Sequence, residues 1–254
     1  MKQLTVIVPV DKFNDEISPL FEKACKSVPE DVKVVVVGPK EVVDAVKALD
    51  YAKSYTFVEN EDINPPTMIN KGVAAVKTDY FSVLEYDDYY TPNWFKNLDE
   101  WSTATPGLFA YLPINEAFQF GKDGAVAGYI NEPVWASSFS EQLGYFDTDS
   151  LMNYMNVNCT GGVFNKADFL EIGGLKESIK LTYWYEFILR ADYKAKKIYV
   201  IPKVGYKHCV DRPGSLLDTY RKTMTQAEAD WWVNTAREEH FFKNDRKKQY
   251  PLSK

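Results

Sequence analysis

Cysteine is scarce in this 254-residue sequence, and its spacing excludes two kinds of framework. The three cysteines, Cys25, Cys159 and Cys209, are odd in number and lie far from one another. A disulfide scaffold needs paired cysteines, and a cysteine-based zinc site needs closely spaced ones. We therefore expect all three to be free structural thiols.

Long apolar runs are missing as well. No stretch approaches the roughly 18 to 20 consecutive apolar residues that span a bilayer, and the first residues lack the apolar segment of a signal peptide. The expected protein has no transmembrane segment and is cytoplasmic. Apolar residues nevertheless make up 45% of the chain, which is enough for a large core.

Charge is distributed unevenly along the chain, whose net charge is −6. Residues 194–254 carry 14 Lys and Arg against 7 Asp and Glu, a balance of +7 that leaves −13 for the rest. A basic end indicates contact with an anion, such as a sugar-nucleotide diphosphate, a phosphorylated saccharide, a membrane surface or nucleic acid. The alternative is a solubilising tail.

Strand and helix patterns alternate in the first third of the sequence. The strand patterns, all of a fully buried type, cover residues 4–10, 32–37, 55–58 and 80–84, and the helical patterns cover 17–28, 41–49 and 65–76. This alternation predicts an α/β fold with a parallel sheet. Ligands of such sheets bind at the carboxyl ends of the strands.

The remaining sequence predicts a more mixed arrangement. Residues 109–120 and 125–130 flank a glycine-containing turn and predict an antiparallel hairpin, followed by an irregular excursion over 131–155. Further strands are predicted at 160–164, 198–201 and 205–210, and helices at 166–172, 181–196 and 226–242. We expect Trp231, Trp232 and Phe241 to pack the last helix onto the body, and the only linker to lie at 213–223.

The tetrapeptide Glu85-Tyr86-Asp87-Asp88 directly follows the fourth predicted strand. Three carboxylates in four residues repel one another unless a cation or a proton compensates their charge. At the end of a parallel strand, the turn is therefore a candidate site for a divalent cation. The alternative is an ordinary acidic turn, because Asp begins turns readily and Pro92 follows soon after.

Further segments extend the pattern on both sides of this turn. They are Pro9 in the first strand, the Asn-rich stretch 64–73, the segments 161–164, 170–175, 188–190 and 198–202, His208, and 214–215. In their order and spacing, over residues 4–216, they resemble the family 2 glycosyltransferases of the GT-A fold. The acidic turn takes the place of that family's metal-binding Asp-X-Asp motif.

The resemblance implies a GT-A (Rossmann-like) fold, with a mostly parallel sheet flanked by helices and a small antiparallel portion. It implies a domain at 1–216, made of a nucleotide-sugar half at 1–104 and an acceptor half at 105–216. Residues 217–254 would form a basic, helical carboxy-terminal extension.

The resemblance also implies a cofactor and a set of site residues. A nucleotide-diphosphate sugar would be the donor, and Mn²⁺ or Mg²⁺ would stabilise the departing diphosphate. Asp87 would be the principal metal ligand, with Glu85 and His208 assisting; a structural histidine is the alternative for His208. Asp88 would assist or orient the site. Residues implied to contact the donor are Pro9, Asp11, Asn70, Glu85, Asp87, Arg190 and Arg212.

Two departures from the family pattern leave roles open. Tyr183 and Trp184 stand where the family has an acidic pair that includes the catalytic base. Glu186 is the nearest acid and a candidate base, but it could instead form an i,i+4 ion pair with Arg190. The second strand runs into Gly38 without the usual acidic motif, so the nucleobase stays open, and Asp11 is either a base or a ribose contact.

The sequence therefore predicts a metal-dependent, inverting glycosyltransferase that acts on an acceptor hydroxyl, with a saccharide as the acceptor. One alternative is a phage enzyme, located in the host cytoplasm, that modifies hydroxymethylated bases in DNA. Another is a sugar-nucleotide-binding module without catalysis. A nucleotidyltransferase is disfavoured because residues 4–12 contain no glycine for a phosphate loop.

Overall fold

A computed structural model describes residues 4–120, 126–131, 144–145, 159–210 and 212–239. The strands are β1 (Leu4–Pro9), β2 (Lys33–Gly38), β3 (Thr56–Glu59), β4 (Tyr80–Val83), β5 (Tyr89–Tyr90), β6 (Ala110–Phe120), β7 (Val126–Asn131), β8 (Val163–Asn165) and β9 (Ile198–Val210). The helices are α1 (Ser18–Lys26), α2 (Lys40–Lys47), α3 (Pro65–Ala75), α4 (Trp94–Ala104), α5 (Lys166–Glu171), α6 (Tyr183–Tyr193), α7 (Leu216–Thr223) and α8 (Gln226–Arg237). A short 3₁₀ turn covers Asp50–Ala52.

The strands form one sheet in the order β3-β2-β1-β4-β8-β6-β9-β5, with β7 paired to β6 outside this path. The first four strands are parallel to one another. β8 pairs with β4 in the antiparallel sense, whereas β6 and β9 pair with each other in the parallel sense. Because helices cover both faces of the sheet, its apolar side chains fall into two large buried clusters.

The first third of the fold confirms the predicted elements to within two residues. The four parallel strands and the three helices between them begin and end close to the expected positions. The predicted hairpin is confirmed as well, since β6 and β7 pair in the antiparallel sense. Cys25, Cys159 and Cys209 are all buried free thiols.

Three predictions about elements are wrong. β3 is half exposed because it is the edge strand of the sheet, where only one neighbour covers it. The two strands predicted at 198–201 and 205–210 are one strand, β9, whose pairing with β6 is irregular between them. Most of the segment 213–223, predicted as a linker, is the helix α7, which the side chain of Ser215 caps by accepting the backbone N–H of Asp218.

The expectation that both tryptophans of helix α8 pack onto the body is wrong for one of them. Trp232 is 7% exposed, whereas Trp231 is 56% exposed. Consecutive residues of a helix point about 100° apart, so only one of the two can face the body. Phe241 and most of the excursion over 131–155 lie outside the described residues. None of the described helices is long and apolar enough to cross a membrane.

Candidate active site

The acidic turn lies where the parallel strands end. β1 and β4 pair in register, with Ile7 opposite Val83, and the backbone N–H of Leu84 donates to the carbonyl of Ile7 at 2.9 Å. The chain then leaves the sheet and turns, with the N–H of Asp88 bonded to the carbonyl of Glu85 at 3.0 Å. Residues that follow β1 and residues that follow β4 therefore share one edge of the sheet.

Strand β9 brings a histidine to this turn from far along the chain. β5 pairs with β9, placing Tyr89 opposite Lys207, so the neighbouring His208 reaches the acidic turn. One ligand atom each of Glu85, Asp88 and His208 lie within 4.8 Å of one another. Two carboxylates and an imidazole at this separation can hold a divalent cation. We call these three residues the cation cluster.

Asp88 is the most buried member of the cation cluster, at 1% exposure. Its Oδ1 accepts the backbone N–H of Cys209 at 2.7 Å. Its Oδ2 is buried and has no hydrogen-bond partner among the residues that the structure describes. Burial raises the pKa of this carboxyl well above its usual value, and the charges of Glu85 and Asp87 raise it further, against the opposing effect of His208. A cation would compensate the buried negative charge and would give the unpartnered oxygen a ligand bond, so the site fits one.

Asp87 points to a different partner. Its Oδ2 accepts a hydrogen bond from Arg212 Nε at 2.7 Å, in an ion pair whose side chains are only 12% and 10% exposed. Arg212 Nη2 also donates to the hydroxyl of Tyr86 at 3.1 Å. The structure thus brings together Glu85, Asp88 and His208, whereas Asp87, the predicted principal metal ligand, lies against the predicted donor contact Arg212.

The end of β1 forms the other side of the site. Asp11 is half-buried, and its charge raises the pKa of Tyr86 in addition to the larger effect of burial. Pro9 is the last residue of β1 and is also partly exposed at this edge. Arg212 therefore joins Tyr86 to Asp87 by hydrogen bonds, and Asp11 acts on Tyr86 through its charge.

Glu186 and Arg190 form the i,i+4 ion pair that was the alternative to a catalytic base. Arg190 Nε and Nη2 donate to the two carboxylate oxygens of Glu186 at 3.0 and 2.9 Å, and both side chains are buried. Arg190 also donates to the carbonyls of Ile172 and Gly174, and Lys176 pairs with Glu186 at 3.1 Å. This geometry favours the ion pair over the base, because Glu186 is 1% exposed and its oxygens already accept from cations.

Asn70 is likewise engaged within the fold. Its side-chain amide donates to the carbonyl of Leu175 at 2.8 Å and to Glu177 at 3.1 Å, and its oxygen accepts the N–H of Leu175 at 2.9 Å. These bonds fasten α3 to the loop that follows α5. Asn70 and Arg190, both predicted donor contacts, thus hold the same loop from two sides.

Sequence reasoning missed Tyr206, which positions the acidic turn. Its buried hydroxyl accepts the backbone N–H of Glu85 at 3.2 Å. Gly161 makes room for the ring, because a Cβ there would lie 2.3 Å from a Tyr206 ring carbon, and its φ of +75° also favours glycine. The paired glycines of the predicted strand were the available signal for such a close approach.

No protein-family pattern matches the chain by sequence, and no curated protein does either. Its fold is similar to that of TarS from S. aureus. TarS 1-349 in complex with UDP-GlcNAc gives a TM-score of 0.65 at 15% identity over 98% of this chain and 76% of that one. The complex with UDP gives 0.63 at 16% identity over 99% and 75%. This chain covers 45% of a longer TarS chain, at a TM-score of 0.62 and 16% identity. TarS has the GT-A fold, and the predicted fold class is thereby confirmed.

Proposed function

We propose that this chain is a glycosyltransferase that binds a nucleotide-diphosphate sugar at the acidic turn. One observation carries the proposal: the buried Asp88 oxygen without a hydrogen-bond partner among the described residues, beside Glu85 and His208 at the strand ends of a GT-A fold. The complexes of TarS with UDP and UDP-GlcNAc support a nucleotide sugar as the donor.

The cation cluster would hold Mn²⁺ or Mg²⁺. Carboxylate oxygens suit both ions, and the imidazole of His208 favours Mn²⁺ of the two. When bound, the cation supplies positive charge to the diphosphate as the sugar leaves. The bond from the Cys209 N–H to Oδ1 would orient the Asp88 carboxylate and leave Oδ2 as the ligand atom.

The remaining site residues would bind and orient the donor. The Arg212 guanidinium lies at the edge of the cation cluster, where it can donate two hydrogen bonds to a diphosphate. Asp11 and Pro9 lie at the carboxyl end of β1, the expected position of the nucleoside in such sheets. Asp11 remains our candidate for a ribose contact or a base, since Glu186 is occupied by Arg190 and Lys176.

Calorimetric titration with UDP and UDP-GlcNAc, in Mn²⁺ and in EDTA, tests the donor site. The parent protein should bind both ligands more tightly in Mn²⁺ and should slowly hydrolyse the nucleotide sugar. A His208→Ala variant should lose the Mn²⁺ dependence while keeping its thermal unfolding transition in EDTA. If the parent shows no Mn²⁺-dependent binding of UDP or UDP-GlcNAc, nor of GDP in the same titration, the proposal fails. Binding without turnover on any acceptor would favour the non-catalytic module.

A saccharide is our proposed acceptor, with inversion as the proposed outcome. Hydroxymethylated DNA is the competing acceptor, but an acidic protein is a poor electrostatic match for a duplex. Mass spectrometry of both substrate classes after incubation with mixed donors distinguishes them. A hexose or pentose added to DNA, with none on saccharides, would reverse the ranking.

A further inference from the structure

We infer that Arg212 couples cation binding to nucleotide binding by exchanging partners. In the structure its guanidinium binds Asp87; when a nucleotide binds, the guanidinium moves to the diphosphate, and Asp87 becomes available to the cation. This inference rests on the proposed function. It assigns to Arg212 a control over Asp87 in addition to its contact with the donor.

In the structure, Arg212 has two side-chain partners among the described residues, Asp87 and Tyr86. Its Nε lies 2.7 Å from Asp87 Oδ2, and its Nη2 lies 3.1 Å from the hydroxyl of Tyr86. Both charged side chains are about nine-tenths buried, at 12% and 10% exposure. An ion pair at this depth is screened less by solvent than a surface pair. Asp87 therefore interacts strongly with Arg212 in this arrangement.

The segment that follows Arg212 is bonded to Lys12, after β1, and to helix α7. Lys12, just after β1, donates from Nζ to the carbonyl of Gly214 at 2.8 Å. The N–H of Gly214 donates to Asp218 of α7 at 2.8 Å. These bonds hold the backbone beside Arg212, so we assign the change of partner to its side chain. A side chain of this length can reach two acceptors from one backbone position.

The exchange makes the cation and Arg212 compete for Asp87, which would join the cation cluster as a further ligand beside its sequence neighbour Asp88. A cation that recruits Asp87 must first break its bond to Arg212, so Mn²⁺ alone binds at a disadvantage. A diphosphate offers Arg212 a second anion and removes that disadvantage. Each ligand then tightens the binding of the other by the same factor, as linkage requires. Part of this factor comes from direct contact between metal and phosphate, and the rest comes from Arg212.

The Arg212→Gln variant separates the two parts. Mn²⁺ affinity is measured from the electron paramagnetic resonance signal of free Mn²⁺, with and without saturating UDP, or GDP if the parent prefers it. Without nucleotide, the variant should bind Mn²⁺ about three- to tenfold more tightly than the parent, the range expected for releasing a carboxylate from a partly buried ion pair. With nucleotide, the tightening that the nucleotide causes should be about three- to tenfold smaller than in the parent.

Three further variants control the result. Arg221→Gln removes the same charge from an exposed position on α7 and should leave both affinities within about twofold. Arg212→Lys keeps the charge without the fork and should fall between parent and Gln variant. In an Asp87→Asn background, Arg212→Gln should no longer tighten Mn²⁺ alone, because the bond that it releases is already gone.

The outcomes distinguish this inference from the proposed function. If the parent shows no Mn²⁺-dependent nucleotide binding, the proposed function fails, and the inference fails with it. If the parent binds normally but Arg212→Gln leaves the affinity for Mn²⁺ alone unchanged or weaker, only the partner exchange is wrong. Equal tightening in the Asp87→Asn background would also overturn it, because the effect would then come from net charge rather than from Asp87.

Discussion

Two carboxylates of this protein, those of Glu186 and Asp88, are buried to the same degree but differ in their hydrogen-bond partners. Glu186 is 1% exposed and accepts hydrogen bonds from Arg190 at 3.0 and 2.9 Å, with Lys176 at 3.1 Å. Asp88 is also 1% exposed, yet only its Oδ1 has a partner in the part of the chain that the structure describes, the N–H of Cys209. Both oxygens of Glu186 are bonded to cations of the protein, whereas one oxygen of Asp88 has no hydrogen-bond partner among the described residues.

The difference indicates which acid serves the fold and which serves a ligand. A buried ion pair with every oxygen bonded leaves no reason for an external cation. A buried carboxylate with an oxygen left over is costly, and it persists where something else compensates. Both acids are candidate site residues on sequence grounds, so their partners, rather than their positions in sequence, separate them.

Breaking the ion pair should give the largest effect on stability. Glu186→Gln leaves the buried charge of Arg190 without its carboxylate, and we expect a loss of about 3 to 5 kcal/mol in the free energy of unfolding in urea. Mn²⁺-dependent UDP binding by the folded protein should persist. A stable variant that binds the donor but no longer turns it over would instead identify Glu186 as the catalytic base.

A matched control for this change lies on α4. Lys96 and Glu100 are also spaced i,i+4, but their nitrogen and oxygen are 3.9 Å apart and their side chains are 75% and 61% exposed. Glu100→Gln should change the unfolding free energy by no more than about 0.5 kcal/mol. A loss as large as that of Glu186→Gln would show that burial is not what distinguishes the two pairs.

Adding a cation should stabilise the acidic turn and leave the ion pair unaffected. At a Mn²⁺ concentration of 100 times its Kd, the parent should gain about 2.7 kcal/mol in unfolding free energy, since the ion binds only the folded state. Glu186→Gln should gain the same increment from its lower baseline, whereas His208→Ala should gain little. Calorimetry in Mn²⁺ and in EDTA measures both. An equal gain in His208→Ala would place the ion elsewhere.

The sequence predicted the front of the fold because its information there is local. Each parallel strand is a short apolar run, and each helix between them carries apolar residues on one side. The burial of β3 could not be predicted, since being at the edge depends on the order of all the strands. Helix α4 was missed because its buried side chains are only Trp94 and Leu98, too few to establish a period.

Part of the candidate site could likewise be predicted from the sequence, and part could not. The location of the acidic turn followed from the end of a strand, but the partner of each acid did not. Asp88 meets Cys209 and Asp87 meets Arg212, contacts that join residues more than a hundred positions apart. Which acid faces the histidine and which faces the arginine depends on how β9 leaves the sheet. Sequence spacing carries no information about that geometry.

Removing the charge of Asp88 should weaken cation binding without lowering the stability of the fold. Asp88→Asn keeps an oxygen that can accept the Cys209 N–H, but it removes the carboxylate whose pKa burial raises. We expect Mn²⁺ affinity to fall by about tenfold or more, while the free energy of unfolding in EDTA stays the same or rises. Isothermal titration and urea unfolding of the same preparation measure both. A marked loss of stability would make Asp88 structural, like Glu186.

The smallest effect should come from the second cation beside Glu186. Lys176 is 39% exposed and also pairs with Glu239 at 3.3 Å, so its charge stays largely solvated while it contacts the buried carboxylate. Lys176→Met should therefore cost only about 0.5 kcal/mol in urea unfolding, because the two bonds from Arg190 still satisfy Glu186. A cost close to that of Glu186→Gln would mean that Arg190 alone does not neutralise this acid. The contrast with Asp88 would then be one of degree, with Glu186 also dependent on a cation at its exposed side.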